Sequence, residues 1–193
     1  MAEPRPELVL VRHGETEWSR TGKHTGKTDI PLTENGRHTA EVLREPLSRR
    51  EFALVLTSPL SRAADTCRLA GLGDAAEVRD ELVEWDYGEY EGLTTPEIRE
   101  TRPDWRLWRD GCPGGERPDE VAARVDRVIA EAEGVDGDVA LFAHGHVLRV
   151  LAARWVELGP EWGARFVLQT ATLSVLGWER ETRAIRLWNA QAA

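Results

Sequence analysis

Short apolar runs alternate with amphipathic segments along most of the chain. Leu8 to Val11, Ala53 to Leu56 and Val139 to Ala143 are nearly continuous apolar runs, which are typical of strands covered on both faces. Two further runs near the C-terminus predict closing strands, Thr172 to Trp178 and Ala184 to Trp188. This alternation predicts an α/β fold, a three-layer α/β/α sandwich with a mainly parallel sheet.

Several segments between these strands have the apolar spacing of helices. One begins at Thr33, a favourable N-cap residue, and extends toward Arg50 with Pro46 in its last turns. Another is predicted to begin with Ser58 as its N-cap and Pro59 at the first helical position. The remaining predicted helices cover 118–133 and 147–155, with a short helix near 96–101.

The segment from about 84 to 115 has no clear helical or strand period. Its aromatic residues are Trp85, Tyr87, Tyr90, Trp105 and Trp108. We expect this cover segment to cross the carboxyl ends of the strands and to shape a pocket. We expect its tryptophans to serve packing more than recognition. With no repeat or linker elsewhere, the sequence predicts a single domain over residues 1–193.

Composition narrows the classes of partner. The net charge of −9, without a long Lys/Arg cluster, argues against a nucleic-acid surface. Lys23 and Lys27 are the only lysines, so an anionic substrate must find arginines, which favours a small ligand in a pocket. Cys67 and Cys112 form neither a disulfide framework nor a four-ligand metal site. We expect neither a metal nor a cofactor.

Hydropathy and the N-terminus predict a cytoplasmic protein. No apolar run is long enough to cross a bilayer, so we expect no membrane partner. Met1 to Pro6 has prolines where an export signal has an apolar run. The sequence leaves open whether the chain is a monomer or a homodimer.

Histidines and arginines follow the buried strands directly. Arg12 and His13 follow the first strand, Ser58 and Arg62 the second, and 144–146 (His-Gly-His) the third. Ligands of open α/β sheets bind beyond the carboxyl ends of the strands. We therefore expect these side chains to converge at one edge of the sheet.

These residue types suit phosphoryl transfer. Arg12 and Arg62 match phosphoryl oxygens with paired donors. The imidazole of His13 is a competent nucleophile that forms a phosphohistidine, and a cationic His144 stabilises the transferring charge. Glu84, where the cover segment begins, is the candidate that protonates the leaving oxygen. Three other carboxylates compete for that role: Asp86, Glu89 and Glu91.

The motifs resemble those of the histidine phosphatase superfamily, also called phosphoglycerate mutase-like. They occur in order from Leu8 to about Trp155, at 12–16, 25–26, 31–33, 58–63, 84–92 and 144–146. The resemblance implies that the first histidine is phosphorylated, that two arginines and a second histidine hold the phosphate, and that a glutamate donates the proton. In this chain the first histidine is His13 and the second is His144. The two arginines are Arg12 and Arg62, and the glutamate is Glu84. It also implies that Ser19, Thr25 and Gly26 line the phosphate or substrate pocket.

Within the family, residues 108–116 and His146 are similar to the branch of sedoheptulose bisphosphatase and bacterial broad-specificity acid phosphatases. Cofactor-dependent mutases usually have a longer cover with an adjacent basic pair, and an asparagine at the position of His146. We therefore expect a metal-independent phosphatase for small phosphorylated metabolites, such as sugar phosphates. A mutase-type phosphoryl transfer is the alternative, and a non-catalytic phospho-ligand binding module is a third.

The sequence leaves alternative roles open for some charged and histidine residues. His146 is expected to contribute to the binding site. Arg109 is a candidate for substrate binding, and it shares with Arg102 and Arg106 the capacity to bind a second phosphate or a carboxylate. His24 either contacts the substrate or solvates its loop. The fifth histidine, His38, is expected to be a structural residue on a surface helix.

Overall fold

A six-stranded mixed sheet organises the chain in the computed structural model, which describes residues 5–192. The strands are β1 (Leu8–Arg12), β2 (Leu54–Thr57), β3 (Ala76–Val78), β4 (Val139–Ala143), β5 (Thr172–Glu179) and β6 (Thr182–Gln191). Their order is β3-β2-β4-β1-β5-β6. Strands β1 to β4 are mutually parallel. Strand β5 is antiparallel to both of its neighbours, β1 and β6. The predicted mainly parallel sheet is confirmed.

Helices connect and cover the strands. They are α1 (Glu17–Thr21), α2 (Glu34–Val42), α3 (Arg44–Ser48), α4 (Ser61–Leu69), α5 (Thr95–Thr101), α6 (Leu107–Asp110), α7 (Pro118–Glu133) and α8 (Gly145–Trp155). Between residues 5 and 192, none has the length and apolarity that a bilayer crossing requires. Met1 to Pro4, part of the segment expected to lack an export signal, lie outside the described residues.

Successive side chains of the central strands point to opposite faces of the sheet, so the apolar core consists of two clusters. In β1, Leu8 and Leu10 pack in one apolar cluster with residues of α7 and α8. Val9 and Val11 pack in a second cluster with residues of α3 and α4. The five residues of β4 alternate between the same two clusters. Because each fully buried Val or Leu contributes about 1.5–3 kcal/mol, both faces of the sheet must be covered, and the predicted three layers are confirmed.

The helix predicted from Thr33 toward Arg50 is two helices. Its start is confirmed, since the Thr33 side chain accepts a hydrogen bond from the backbone N–H of Gly36 at 3.0 Å. However, α2 ends at Val42 and α3 begins at Arg44. Pro46 has no N–H to donate to the carbonyl of Val42, so the regular helical ladder cannot continue through it.

The predicted N-cap at Ser58 is wrong. The N-cap position of α4 belongs to Leu60, which provides no side-chain cap. The Asp29 carboxylate replaces that cap from a distant loop, accepting from the Ser61 backbone N–H at 2.9 Å and hydroxyl at 2.8 Å. The hydroxyl oxygen of Ser58 accepts from the backbone N–H of Leu60 at 3.3 Å, before the helix begins, and lies 2.7 Å from Nε2 of His144.

Two tryptophans fix the cover segment, which contains α5 and α6. Trp85 and Trp105 are buried, and their indole N–H groups donate to the carbonyls of Glu116 at 2.9 Å and Gly111 at 2.8 Å. The packing role expected for these two residues is therefore observed. Trp108 is only partly buried, and the guanidinium carbon of Arg149 lies 4.6 Å from its ring centroid.

Candidate active site

A close backbone crossing positions His13. Beyond β1, the chain passes over α2 so tightly that a Cβ on Gly14 would lie 2.3 Å from the carbonyl oxygen of Gly36. Only glycine fits such an approach without a backbone shift. The crossing holds His13 at the carboxyl edge of the sheet, where it is only 5% exposed.

The hydrogen bonding of His13 selects one form of its ring. Nδ1 lies 2.7 Å from the carbonyl oxygen of Gly14. A carbonyl only accepts, so Nδ1 carries the proton and Nε2 keeps its lone pair. Burial, together with the positive charges of Arg12 and Arg62, lowers the pKa of His13 well below its usual range. At neutral pH the ring is therefore a neutral imidazole, the nucleophilic form.

Arg12 presents an unsatisfied donor beside His13. Its side chain donates to the carbonyl of Leu168, but its buried Nε has no hydrogen-bond partner among residues 5–192. Gly145 allows the guanidinium to lie against the start of α8, because a Cβ there would be 3.2 Å from Cζ of Arg12. An unpaired buried N–H costs about 1–3 kcal/mol. An anion that accepts from Nε would remove that cost.

Arg62 and His144 lie behind His13, fully buried. Nε of Arg62 donates to Nδ1 of His144 at 3.1 Å, so Nδ1 accepts and the proton of a neutral ring is on Nε2. Burial and the positive charge of Arg62 lower the pKa of His144 well below its usual range. The cationic form expected for His144 is therefore not favoured in this arrangement. The His13 and His144 ring centroids are 5.2 Å apart.

The rest of the Arg62 guanidinium is also engaged. Its Nη1 donates to the carbonyl of Thr28 at 3.0 Å. Its Nη2 donates to the carbonyls of Thr25 at 3.1 Å and Gly26 at 2.9 Å. These bonds leave one of the five guanidinium N–H groups for another acceptor. Arg62 thus fixes the loop at 25–28 as well as the ring of His144.

Glu84 joins the cover segment to the first turn of α8. Its Oε1 accepts from the backbone N–H groups of Trp85 and Val147, each at 2.9 Å. Its Oε2 accepts from the N–H of His146 at 2.9 Å. The first N–H groups of a helix have no partner within the helix, so a carboxylate there is well stabilised. Glu84 reaches the cavity wall while its position is fixed by three backbone donors.

The three competing carboxylates are engaged or directed elsewhere. Asp86 lies 2.5 Å from Nζ of Lys27. Glu91 accepts from the backbone N–H of Gly26, at 2.9 Å from Oε1. Glu89 is exposed. None of these three lines the cavity beside His13, whereas Glu84 does.

The catalytic cavity has a volume of about 250 Å³. Six of the ten predicted site residues line it: Arg12, His13, Ser19, Thr25, Glu84 and His146. Arg62 and His144 lie beneath them. Gly26 was expected on the wall but is not there, because a Cβ on it would lie 2.7 Å from the carbonyl oxygen of Trp85. Gly26 instead packs the loop against the cover segment.

Some lining residues were not predicted from the sequence. Arg149 reaches the cavity from α8, and burial lowers its pKa to about 10. It follows His146 by three residues and so lies on the same helix face, a signal that could have identified it. Tyr87 lines the cavity too, with its hydroxyl 2.5 Å from Nδ1 of His146. The sequence predicted a packing role for the tryptophans of the cover segment and no role for Tyr87.

A larger cavity of about 570 Å³, which we call the distal cavity, adjoins the catalytic one. Three residues line both: His24, Thr95 and His146. Arg109, predicted to bind substrate, lines only the distal cavity. His24 is half-buried at the junction, and burial lowers its pKa to about 4. A cavity wall, and not solvent alone, surrounds this histidine.

The histidines, arginines and glutamate that follow the strands thus meet around one cavity. The sequence profile of the histidine phosphatase superfamily (branch 1) matches residues 8–191. This chain belongs to the histidine phosphatase superfamily. The family membership that the motifs indicated is confirmed.

Relatives named as phosphatases accompany the family match. The chain is 46% identical over 182 residues to an acid phosphatase of Mycobacterium tuberculosis, covering 92% of this chain and 89% of the relative. It is 40% identical over 186 residues to sedoheptulose 1,7-bisphosphatase of Saccharomyces cerevisiae, covering 80% and 69%. The solved structure of an open reading frame product from Mycobacterium tuberculosis superposes with a TM-score of 0.92 at 42% identity, covering 97% of this chain and 99% of that one. The predicted class of enzyme, a phosphatase, is confirmed.

Proposed function

We propose that the chain hydrolyses small phosphomonoesters without a metal, through a phosphohistidine at His13. One observation carries this proposal. His13, whose Nε2 keeps its lone pair, and Arg12, whose buried Nε has no hydrogen-bond partner among residues 5–192, line the same cavity. The first supplies an electron pair for phosphorus, and the second supplies a donor for a phosphoryl oxygen.

The first step forms the phosphoenzyme. Nε2 of His13 attacks phosphorus while the bond from phosphorus to the ester oxygen breaks. The negative charge of the bound phosphate disfavours a second anion beside it and so favours protonation of Glu84, which then gives its proton to that leaving oxygen, so an alcohol departs. Arg12, with the remaining N–H of Arg62, balances the charge on the phosphoryl oxygens.

The second step regenerates the enzyme. A water molecule attacks the phosphorus of the phosphohistidine, and the Glu84 carboxylate takes a proton from that water. The bond between Nε2 and phosphorus breaks and inorganic phosphate is released. His144 acts as a neutral group that Arg62 and Ser58 orient beside His13.

The substrate class is a small phosphorylated metabolite, a sugar phosphate in particular. The names of the acid phosphatase and the sedoheptulose bisphosphatase relatives support this choice. Ser19, Thr25, His146 and Arg149 are among the side chains of the cavity wall beside its non-reacting part. The expected cytoplasmic location belongs to the same proposal.

A metabolite screen tests the proposed function. Purified protein is incubated with a panel of sugar phosphates, nucleotides and carboxylated phosphoesters, and inorganic phosphate is measured. We expect release from at least one sugar phosphate by the wild-type chain and none by His13→Ala. Phosphate release by wild type and His13→Ala at equal rates, or no release from any ester by folded wild type, would refute the proposal.

A mutase shares the first step and differs in what the phosphoenzyme meets next. The larger distal cavity adjoins the catalytic one, with three lining residues in common, and a path for water to the phosphohistidine from that side would favour hydrolysis. Incubation with 3-phosphoglycerate and 2,3-bisphosphoglycerate separates the two reactions. We expect free phosphate to accumulate faster than the isomer ratio changes, and the reverse order would establish a mutase.

A further inference from the structure

The distal cavity concentrates positive charge in an acidic protein. Four arginines line it, Arg99, Arg106, Arg109 and Arg165, against the single carboxylate of Glu161. The chain as a whole carries a net charge of −9. Such a local excess attracts an anion against the field of the whole molecule. The proposed chemistry at His13 does not use any of these arginines.

Two of the four arginines are already engaged. Nε of Arg109 donates to Asp110 at 2.7 Å, and its Nη2 donates to the carbonyl of Asp104 at 2.7 Å. Nε of Arg99 donates to the carbonyl of Trp105 at 3.2 Å. Arg102, the other sequence candidate, donates to the Tyr90 hydroxyl at 3.1 Å and lies off the cavity wall.

Arg106 and Arg165 differ from these residues. Neither guanidinium has a hydrogen bond or an ion pair with any other part of the chain between residues 5 and 192. Each keeps its full set of N–H donors for a ligand, in the planar arrangement that suits phosphate or carboxylate. Trp105 and Trp108, on the same wall, give the cavity an apolar surface beside these charges.

The junction between the cavities connects this charge to the reacting group. His24, Thr95 and His146 line both cavities, so the two are neighbours, and a ligand that extends past these three residues would lie in both. We propose that Arg106 and Arg165 bind a second anionic group, phosphate or carboxylate, of a substrate whose reacting phosphate lies at His13. This proposal rests on the proposed function, because it names the substrate class of the same site as phosphoesters with two anionic groups.

Matched substrates test the assignment. The ratio of kcat/KM for fructose 1,6-bisphosphate to that for fructose 6-phosphate is measured for wild type and for the double variant Arg106→Gln/Arg165→Gln. We expect this ratio to fall about tenfold or more, the usual effect of losing a charge-assisted hydrogen bond. Arg102→Gln removes an exposed arginine of the same region that lies off the wall, and it should keep the wild-type ratio.

A second pair of substrates identifies the anionic group. The ratio for 3-phosphoglycerate over glycerol 3-phosphate reports on a carboxylate, as the fructose pair reports on a phosphate. A fall confined to one pair supports the subsite and names the group it takes. Unchanged ratios for both pairs in the double variant, or an equal fall in Arg102→Gln, would overturn the assignment.

Binding without turnover separates this proposal from the proposed function. Calorimetry measures the affinity of fructose 1,6-bisphosphate and 3-phosphoglycerate for His13→Ala and for His13→Ala carrying both arginine substitutions. If wild type released no phosphate from any ester while the arginine substitutions weakened binding about tenfold, the subsite would stand and the proposed function would fall. If wild type hydrolysed esters while both affinities and both ratios were unchanged, the subsite would fall and the function would stand. Equal thermal unfolding of the variants establishes that they are folded.

Discussion

Nδ1 of His13 lies 2.7 Å from the carbonyl oxygen of Gly14, its own neighbour in the chain. This one contact fixes the tautomer and directs the lone pair of Nε2 away from the backbone. A glycine is required there because of the close approach to Gly36. The same residue therefore serves the chain crossing and the protonation state of the proposed nucleophile.

Removal of that nucleophile should abolish turnover. We expect His13→Ala to lose phosphate release by at least about 10³-fold, in the range that loss of a catalytic nucleophile reaches. It should also lose acid-labile labelling from a ³²P-labelled substrate. His38→Ala, on the exposed side of α2, is the matched control and should keep both. Substantial labelling of His13→Ala would show that another residue accepts the phosphoryl group.

Substitution of the proposed acid should depend on the leaving group. Glu84→Gln keeps the shape of the side chain but cannot give up a proton. Alkyl phosphates should slow about 10²-fold or more, the usual contribution of a general acid, while p-nitrophenyl phosphate should slow much less.

The control for Glu84 is Glu89→Gln, which changes an exposed carboxylate of the same segment. It should leave both substrate classes near wild type. Equal losses on alkyl and aryl phosphates in Glu84→Gln would indicate a structural role, consistent with its three backbone hydrogen bonds.

Burial of His24 makes stability depend on pH. Its pKa is lowered to about 4 in the folded chain, whereas an unfolded histidine ionises near 6.5. Between these values the unfolded chain binds more protons, so the free energy of unfolding falls as the pH decreases from about 6.5 toward 4. His24 contributes at most about 1.4 kcal/mol per pH unit to that slope.

Urea unfolding at pH 7, 6 and 5 measures this slope. His24→Gln removes one titrating group and should show a shallower fall in the free energy of unfolding than wild type. Equal slopes for the two proteins would mean that His24 is protonated in the folded chain to the same extent as in the unfolded one.

Chelation should not affect the reaction. In the proposed mechanism, guanidinium groups and not a metal balance the phosphoryl charge. We expect phosphate release in the presence of EDTA to match that in its absence. Activity that EDTA abolishes and a divalent cation restores would contradict the mechanism.

The sequence predicted the part of the site that lies at strand ends. Arg12 ends β1, and His13 and His144 directly follow strands with unambiguous apolar runs; parallel strands present their carboxyl ends together. Glu84 was identifiable because the cover segment begins there, although its contacts with the first turn of α8 depend on a pairing across 62 residues. The single domain over residues 1–193 stays a prediction.

Other features were not readable from local patterns. Ser58 followed by Pro59 has the sequence signature of an N-cap, but the hydroxyl of Ser58 lies beside His144, which is 86 residues later in the chain. The bonds that Arg62 makes to carbonyls of the loop at 25–28 leave no trace in composition or period. Arg149 was identifiable in principle from its helical spacing to His146. The three-residue strand β3 has too few residues to establish a period.

The bonds of Arg62 have a consequence for substitution by lysine, which is usually regarded as conservative. Lysine preserves the positive charge, but its donors share a single nitrogen at the end of a flexible stem. One nitrogen cannot span Thr25, Thr28 and His144 as the guanidinium does. Replacement of Arg62 by lysine would therefore free both the loop at 25–28 and the ring of His144, although the formal charge at the position would not change.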